Sequence, residues 1–152
     1  MSKAQSLQTL IDLTQTETDA AAVRLGCAQA EVSEAESRLT LLLRYRGEYQ
    51  VRFRDAVTRG ISSAGWRNFH EFMDKLEAAI EQQREAVTQA RQVEQGARNE
   101  WNERNRKLMA YDTLVQREAQ VAARQRARVE QREQDEFAAK SHAQRKLQPG
   151  KS

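Results

Sequence analysis

The chain has 152 residues, of which 39% are apolar, 6% aromatic and 31% charged. Ala, Gln, Glu, Arg and Leu dominate, which argues against a packed sheet protein and for long helices or a coiled coil. Net charge is only +3 but unevenly placed. Residues 1–37 hold two basic and six acidic side chains, 38–67 hold seven arginines against Glu48 and Asp55, and 121–152 hold eight Lys and Arg against four acids. The middle of the chain and its C-terminal part are the expected contacts for acidic partners.

The N-terminal segment MSKAQSLQTLIDL has no apolar core of a signal peptide, and no run reaches the ~18 apolar residues of a membrane span. One cysteine, Cys27, excludes an internal disulfide and fits a reducing compartment. Its expected role is that of a small buried hydrophobe. A cytoplasmic location follows as an expectation.

From the start, apolar residues fall on a heptad: Ala4, Leu7, Ile11, Thr14, Thr18, Ala21, Leu25, Ala28, Val32, Ala35, Leu39, Leu42, Arg46, Tyr49, Phe53 and Ala56. Thirteen of these sixteen are apolar, sustained over more than seven heptads, a strong coiled-coil signal. The segment TRGISSAGWRN, 58–68, then breaks the pattern with two glycines and two serines, the chemistry of a turn. Asn68 with Glu71 has the spacing of a capping box, and Ser63 is the competing N-cap.

A second heptad follows: Phe69, Met73, Leu76, Ile80, Gln83, Val87, Ala90, Glu94, Ala97, Trp101, Arg104, Leu108, Tyr111, Val115, Glu118 and Ala122. Folding the chain back near residue 62 sets Phe53 against Met73, Tyr49 against Leu76, Leu39 against Val87 and Leu25 against Trp101. The expected fold is all-α: a long two-helix antiparallel coiled-coil hairpin with a C-terminal helical overhang. Its parts are an N-terminal helix (1–57), a turn (58–67), a paired second helix (68–122), an unpaired helical overhang (123–147) and a disordered tail (148–152). The overhang begins where the stripe dissolves into Gln125, Val129, Arg132 and Glu136. The internal hairpin satisfies both seams, so a monomer is expected.

No motif for chemistry emerges. The one Gly-Lys pair, Gly150-Lys151, has no strand before it and makes no phosphate loop. His70 and Asp74 share a helix face, but two ligands do not close a metal site. Cys27 has no histidine in register with it, so no nucleophile–base pair can be argued. No enzyme, metal, cofactor or small-molecule ligand is expected. The arginine-rich stretch RQRARVEQREQ, 124–134, could meet nucleic-acid phosphates through Arg124, Arg126, Arg128 and Arg132. It lacks aromatics for base stacking, and Glu130 and Glu133 interrupt the charge. A solvated or partner-binding helix is the favoured reading, with no nucleic acid; a basic coiled-coil scaffold or nucleic-acid-associated protein is the alternative.

In LTLLLRYRGEYQ, 39–50, the apolar surface widens beyond one stripe. Leu43 and Tyr45 lie beside the seam, and Phe72 and Ala79 flank it on the second helix. Either these side chains fold over the seam, or they form an exposed apolar patch with a basic rim, the mark of a protein-binding site.

Together with LQTLIDL (7–13), GISSAGWRNFHEFMDKLEAAIEQ (60–82), LMAYDTL (108–114) and DEFAAK (135–140), this segment resembles the bacterial flagellar export protein FliJ family over nearly the whole chain. The resemblance implies an antiparallel coiled coil similar to the central stalk of rotary ATPases, serving flagellum biogenesis, motility and chemotaxis through type III protein export. Implied partners are the export ATPase ring (FliI), the export-gate membrane protein FlhA and export chaperones. The implied location is cytoplasmic, peripheral to the inner face of the cell membrane. The implied gate-binding surface matches Leu42, Tyr45, Tyr49, Phe72, Leu76 and Ala79, with Arg38 and Gln83 departing from the family at its edge. Engagement of the ATPase or a chaperone is expected at the open end of the hairpin, through Leu7, Arg124, Arg128 and Arg132.

Overall fold

The computed structural model describes residues 2–147. Its regular elements are two helices, α1 (Lys3–Arg59) and α2 (Ser63–Leu147), packed against each other as the expected hairpin. The tail 148–152 lies outside the described residues. The chain divides into two compact units, Thr14–Arg106 and a second formed by Met1–Leu13 with Lys107–Ser152.

Within Thr14–Arg106 the buried residues are Thr14, Thr18, Ala21, Ala28 and Val32 on α1 with Phe69, Leu76, Ile80 and Val87 on α2. All nine are heptad positions. Leu25, Ala35, Leu39, Leu42, Arg46, Tyr49 and Phe53 line the same stripe half-buried. The Thr18 hydroxyl donates to the Thr14 carbonyl at 2.7 Å, and among the described residues no buried side-chain nitrogen or oxygen lacks a partner. Cys27, expected inside, is exposed. The stripe passes through Leu25 and Ala28, and the position between them turns outward.

The connection is shorter than the expected 58–67: residues 58–59 belong to α1 and 63–67 to α2, leaving 60–62. Gly60 closes α1 with φ 93°, a left-handed conformation that glycine adopts without penalty, and its N–H donates to the Val57 carbonyl at 3.1 Å. Neither Asn68 nor Ser63 caps α2. Ser62 does: its Oγ accepts from the Gly65 N–H at 3.1 Å and its carbonyl from the Trp66 N–H at 2.9 Å. Gly65 is needed one turn inside the helix, since a Cβ there would sit 2.9 Å from Ile61 Cγ1.

Phe53 stacks on Phe69 with ring centroids 3.6 Å apart, and Tyr49 meets Phe72 at 4.4 Å. Phe69 and Phe72 are neighbours on α2 of the expected partners Met73 and Leu76. Farther from the turn, Arg24 pairs with Glu100, beside the expected Leu25–Trp101 level. Gln83, a polar residue on the seam, donates from Nε2 to the Ala35 carbonyl at 3.0 Å, which removes the cost of its burial.

In the second unit α1 opens with a capping box. Gln5 N–H donates to Ser2 Oγ at 3.2 Å, and Ser2 N–H donates to Gln5 Oε1 at 3.1 Å. Lys3 pairs with Glu118 at 3.4 Å. Leu7, Ile11, Leu108, Tyr111 and Glu118 are half-buried; from 119 to 147 every residue but Ser141 is exposed.

Candidate binding surface

Leu42, Tyr45 and Tyr49 recur at three- and four-residue spacing on α1, as Phe72, Leu76 and Ala79 do on α2, so each set lines one flank of its helix. The antiparallel arrangement brings the flanks together: Tyr49 touches Phe72 at 4.4 Å and lies parallel to Phe69 at 5.1 Å. The six residues occupy three depths. Leu76 is only 7% exposed and serves as the floor, belonging to the core rather than to the surface. Leu42, Tyr49 and Ala79 are half-buried. Tyr45 and Phe72, 52% and 46% exposed, face solvent.

Leu41, four residues before Tyr45 on the same flank, is also exposed. It was not among the expected site residues, although its i, i+4 relation to Tyr45 is plain in the sequence. The basic rim is thinner than the arginine count suggests. Arg38 is held by Glu34 at 2.7 Å, and Arg46 reaches across the seam to Glu77 at 3.2 Å. Arg44 keeps no carboxylate partner among the described residues. Exposed aromatic and aliphatic side chains on a rigid two-helix floor can bind an apolar protein surface.

The other expected contacts lie in the second unit. Leu7 is half-buried, so much of it serves packing. Arg124, Arg128 and Arg132 are all exposed, one turn apart along α2, and form a row. Pairs such as Gln131 Nε2 to Asp135 Oδ1 at 3.0 Å run along the helix and leave the row open.

His70 is exposed, as an ordinary surface residue would be, but it leans on Trp66 at 4.6 Å and edges against Phe69 at 5.5 Å. Among the described residues no three His, Cys, Asp or Glu side chains gather as metal ligands, and no helix is long and apolar enough to cross a membrane.

A family model described as "Flagellar FliJ protein" matches residues 2–147. A Flagellar FliJ protein of Salmonella typhi is 36% identical over 138 residues, covering 91% of this chain and 94% of that protein. One from Escherichia coli K12 is 35% identical over the same length and shares. Coverage end to end, at this identity, by a hairpin with the expected heptads leaves one conclusion: the chain belongs to the flagellar FliJ protein family.

Proposed function

We propose that the chain is a non-enzymatic component of the flagellar protein export apparatus, acting through two surfaces. The first, Tyr45 and Phe72 over Leu42, Tyr49, Leu76 and Ala79, binds the cytoplasmic part of the export gate FlhA. The second, the helix 123–147 with Arg124, Arg128 and Arg132, engages the export ATPase FliI and stimulates it, and is also offered to export chaperones. The protein works at the cytoplasmic face of the inner membrane. The observation that carries this reading is the pair of half-exposed aromatics on adjoining helix flanks, fixed by the Tyr49–Phe72 contact. An exposed apolar patch of that kind costs solubility unless a partner covers it.

The test is binding of the full chain to the purified cytoplasmic domain of the gate. Tyr45→Ala with Phe72→Ala should lower affinity tenfold or more and leave far-UV circular dichroism unchanged, because both side chains stand outside the seam. Unchanged affinity would remove the patch from the interface. Truncation after Ala123 should abolish ATPase stimulation while hairpin melting stays where it was; stimulation by the truncated chain would remove the overhang from that role.

A further inference from the structure

The two flanks of the seam differ in chemistry. In a coiled coil the positions on either side of the core stripe usually carry charges that pair between helices. One flank obeys that rule. On α2 it reads Glu77, Arg84, Arg91 and Arg98 at seven-residue spacing, and Arg46–Glu77 and Glu36–Arg91 clasp the helices over it. The other flank breaks it. At the same spacing α2 reads Phe72, Ala79, Ala86 and Val93, and the residues just outside them, Gln82, Gln89 and Gly96, are uncharged too. Among the described residues no ion pair crosses the seam over this flank between Phe72 and the Arg24–Glu100 pair.

This neutral flank starts at the aromatic patch and ends in a groove. Phe72 and Ala79 belong to the surface already described with Tyr45. Heptad steps carry the same flank from Phe72 to Val93, ~30 Å at 1.5 Å per residue. There a shallow groove of about 420 Å³ runs between the helices, lined by Val23 and Cys27 on α1 and Val93 and Ala97 on α2, with Arg24 and Glu100 at its rim. Val23 and Val93 are 66% and 58% exposed, and Cys27 is exposed. On α1 the facing positions are Tyr45, Arg38, Glu31 and Arg24. Arg38 is tied to Glu34 and Arg24 to Glu100, which leaves Glu31 the one unpaired charge of the four.

Shape and backbone select the occupant. The N–H and C=O groups of this face are engaged within α1 and α2, so an extended segment would find no partners for its own. A helix brings its hydrogen bonds with it, and small side chains at heptad spacing let one settle between two others. We infer that the face from Tyr45 and Phe72 to Val23 and Val93 seats one amphipathic helix of the partner that covers the patch, completing a three-helix bundle. That helix presents an apolar stripe with a lysine or arginine opposite Glu31. The inference rests on the patch being the gate-binding surface and extends it by three heptads along the rod.

Cys27 supplies the probe, because it is the one cysteine and is exposed. Saturating cytoplasmic domain of the export gate should slow maleimide alkylation of Cys27 in the full chain by about tenfold or more. Cys27→Ser with Gln29→Cys moves the thiol to the opposite flank, where the rate should not change. Ala86→Glu with Val93→Glu should weaken binding of the gate domain by about tenfold, since a carboxylate would be buried without a partner. Thr88→Glu, on the charged flank, should bind normally. All these positions are exposed, and a preserved melting curve verifies that the variants fold. Full affinity in the Ala86/Val93 variant or an unprotected Cys27, with binding still weakened by Tyr45→Ala and Phe72→Ala, would overturn the inference and leave the patch standing. Unchanged affinity in the Tyr45/Phe72 variant would overturn both. Protection of Cys27 that rises with the concentration of the chain alone would assign the face to a second copy and overturn the inference as well.

Discussion

The two ends of the hairpin unit are built on one heptad with different side chains. Near the turn the seam is thick: Phe53 stacks on Phe69, Tyr49 joins them, and Leu76, Ile80 and Val87 are buried behind. Toward residues 14–28 the buried α1 positions are Thr14, Thr18, Ala21 and Ala28. There the helices are clasped at their edges by Arg24–Glu100 and Glu17–Arg104. Burial of large apolar side chains stabilises by ~1.5–3 kcal/mol each, whereas half-exposed ion pairs contribute ~0–1 kcal/mol. The turn end therefore anchors the fold, and the far end sets alignment more than strength. The proposed binding surface lies over the anchored end.

The largest blow to that contrast should come from Ile80→Ala. Ile80 is 2% exposed, and its truncation should cost ~2–5 kcal/mol in urea denaturation. Leu25→Ala, at a half-buried far-end position, should cost clearly less. Equal losses would mean that the seam is uniform after all. Ala21→Leu probes the thin end from the other direction. Ala21 is fully buried, and forcing a larger side chain between the helices should destabilise by ~1–3 kcal/mol. A gain in stability there would show unused space in the seam.

Smaller effects sharpen the comparison. Gly26 and Gly96 lie in helix interiors at the far end, and a Cβ at either would meet nothing within 4 Å. Gly26→Ala and Gly96→Ala should each raise stability by up to ~1 kcal/mol, read as a higher melting temperature. Least of all, a double-mutant cycle on Arg24 and Glu100 should return a coupling of ~0.2–1 kcal/mol that shrinks in high salt. Amides of 14–28 should likewise exchange faster than those of 69–87, a difference that salt widens.

Much of this fold is written in periodicity. The heptad positions from Leu7 to Ala56 and from Phe69 to Tyr111 are almost all buried or half-buried. A 3.5-residue repeat allows one face only, which is why the seam is legible. The turn was not. Gly65 and Ser62 look like loop residues, and their real roles, space for Ile61 and an N-cap, depend on where the helix begins. Cys27 was misplaced because small apolar character says nothing of helix face unless the neighbouring stripe is followed. Of the patch, the composition was readable from flank spacing. The division between buried Leu76 and exposed Tyr45 and Phe72 needed the actual depth of the seam.

The hairpin closes distances along the chain that widen steadily from its turn. Arg46 and Glu77 are 31 residues apart, while Arg104 and Glu17 are 87 apart. Nucleation should favour the short loops, where the bulky residues already sit, so pairing proceeds outward like a zip. During synthesis, at ~5–20 residues per second, Glu17 waits roughly 4–17 s before Arg104 is made. For that interval α1 leaves the ribosome with its Leu, Ile and Val stripe uncovered. A seam weighted with Ala and Thr at its early end leaves less apolar surface open to misassociation while the second arm is still being translated.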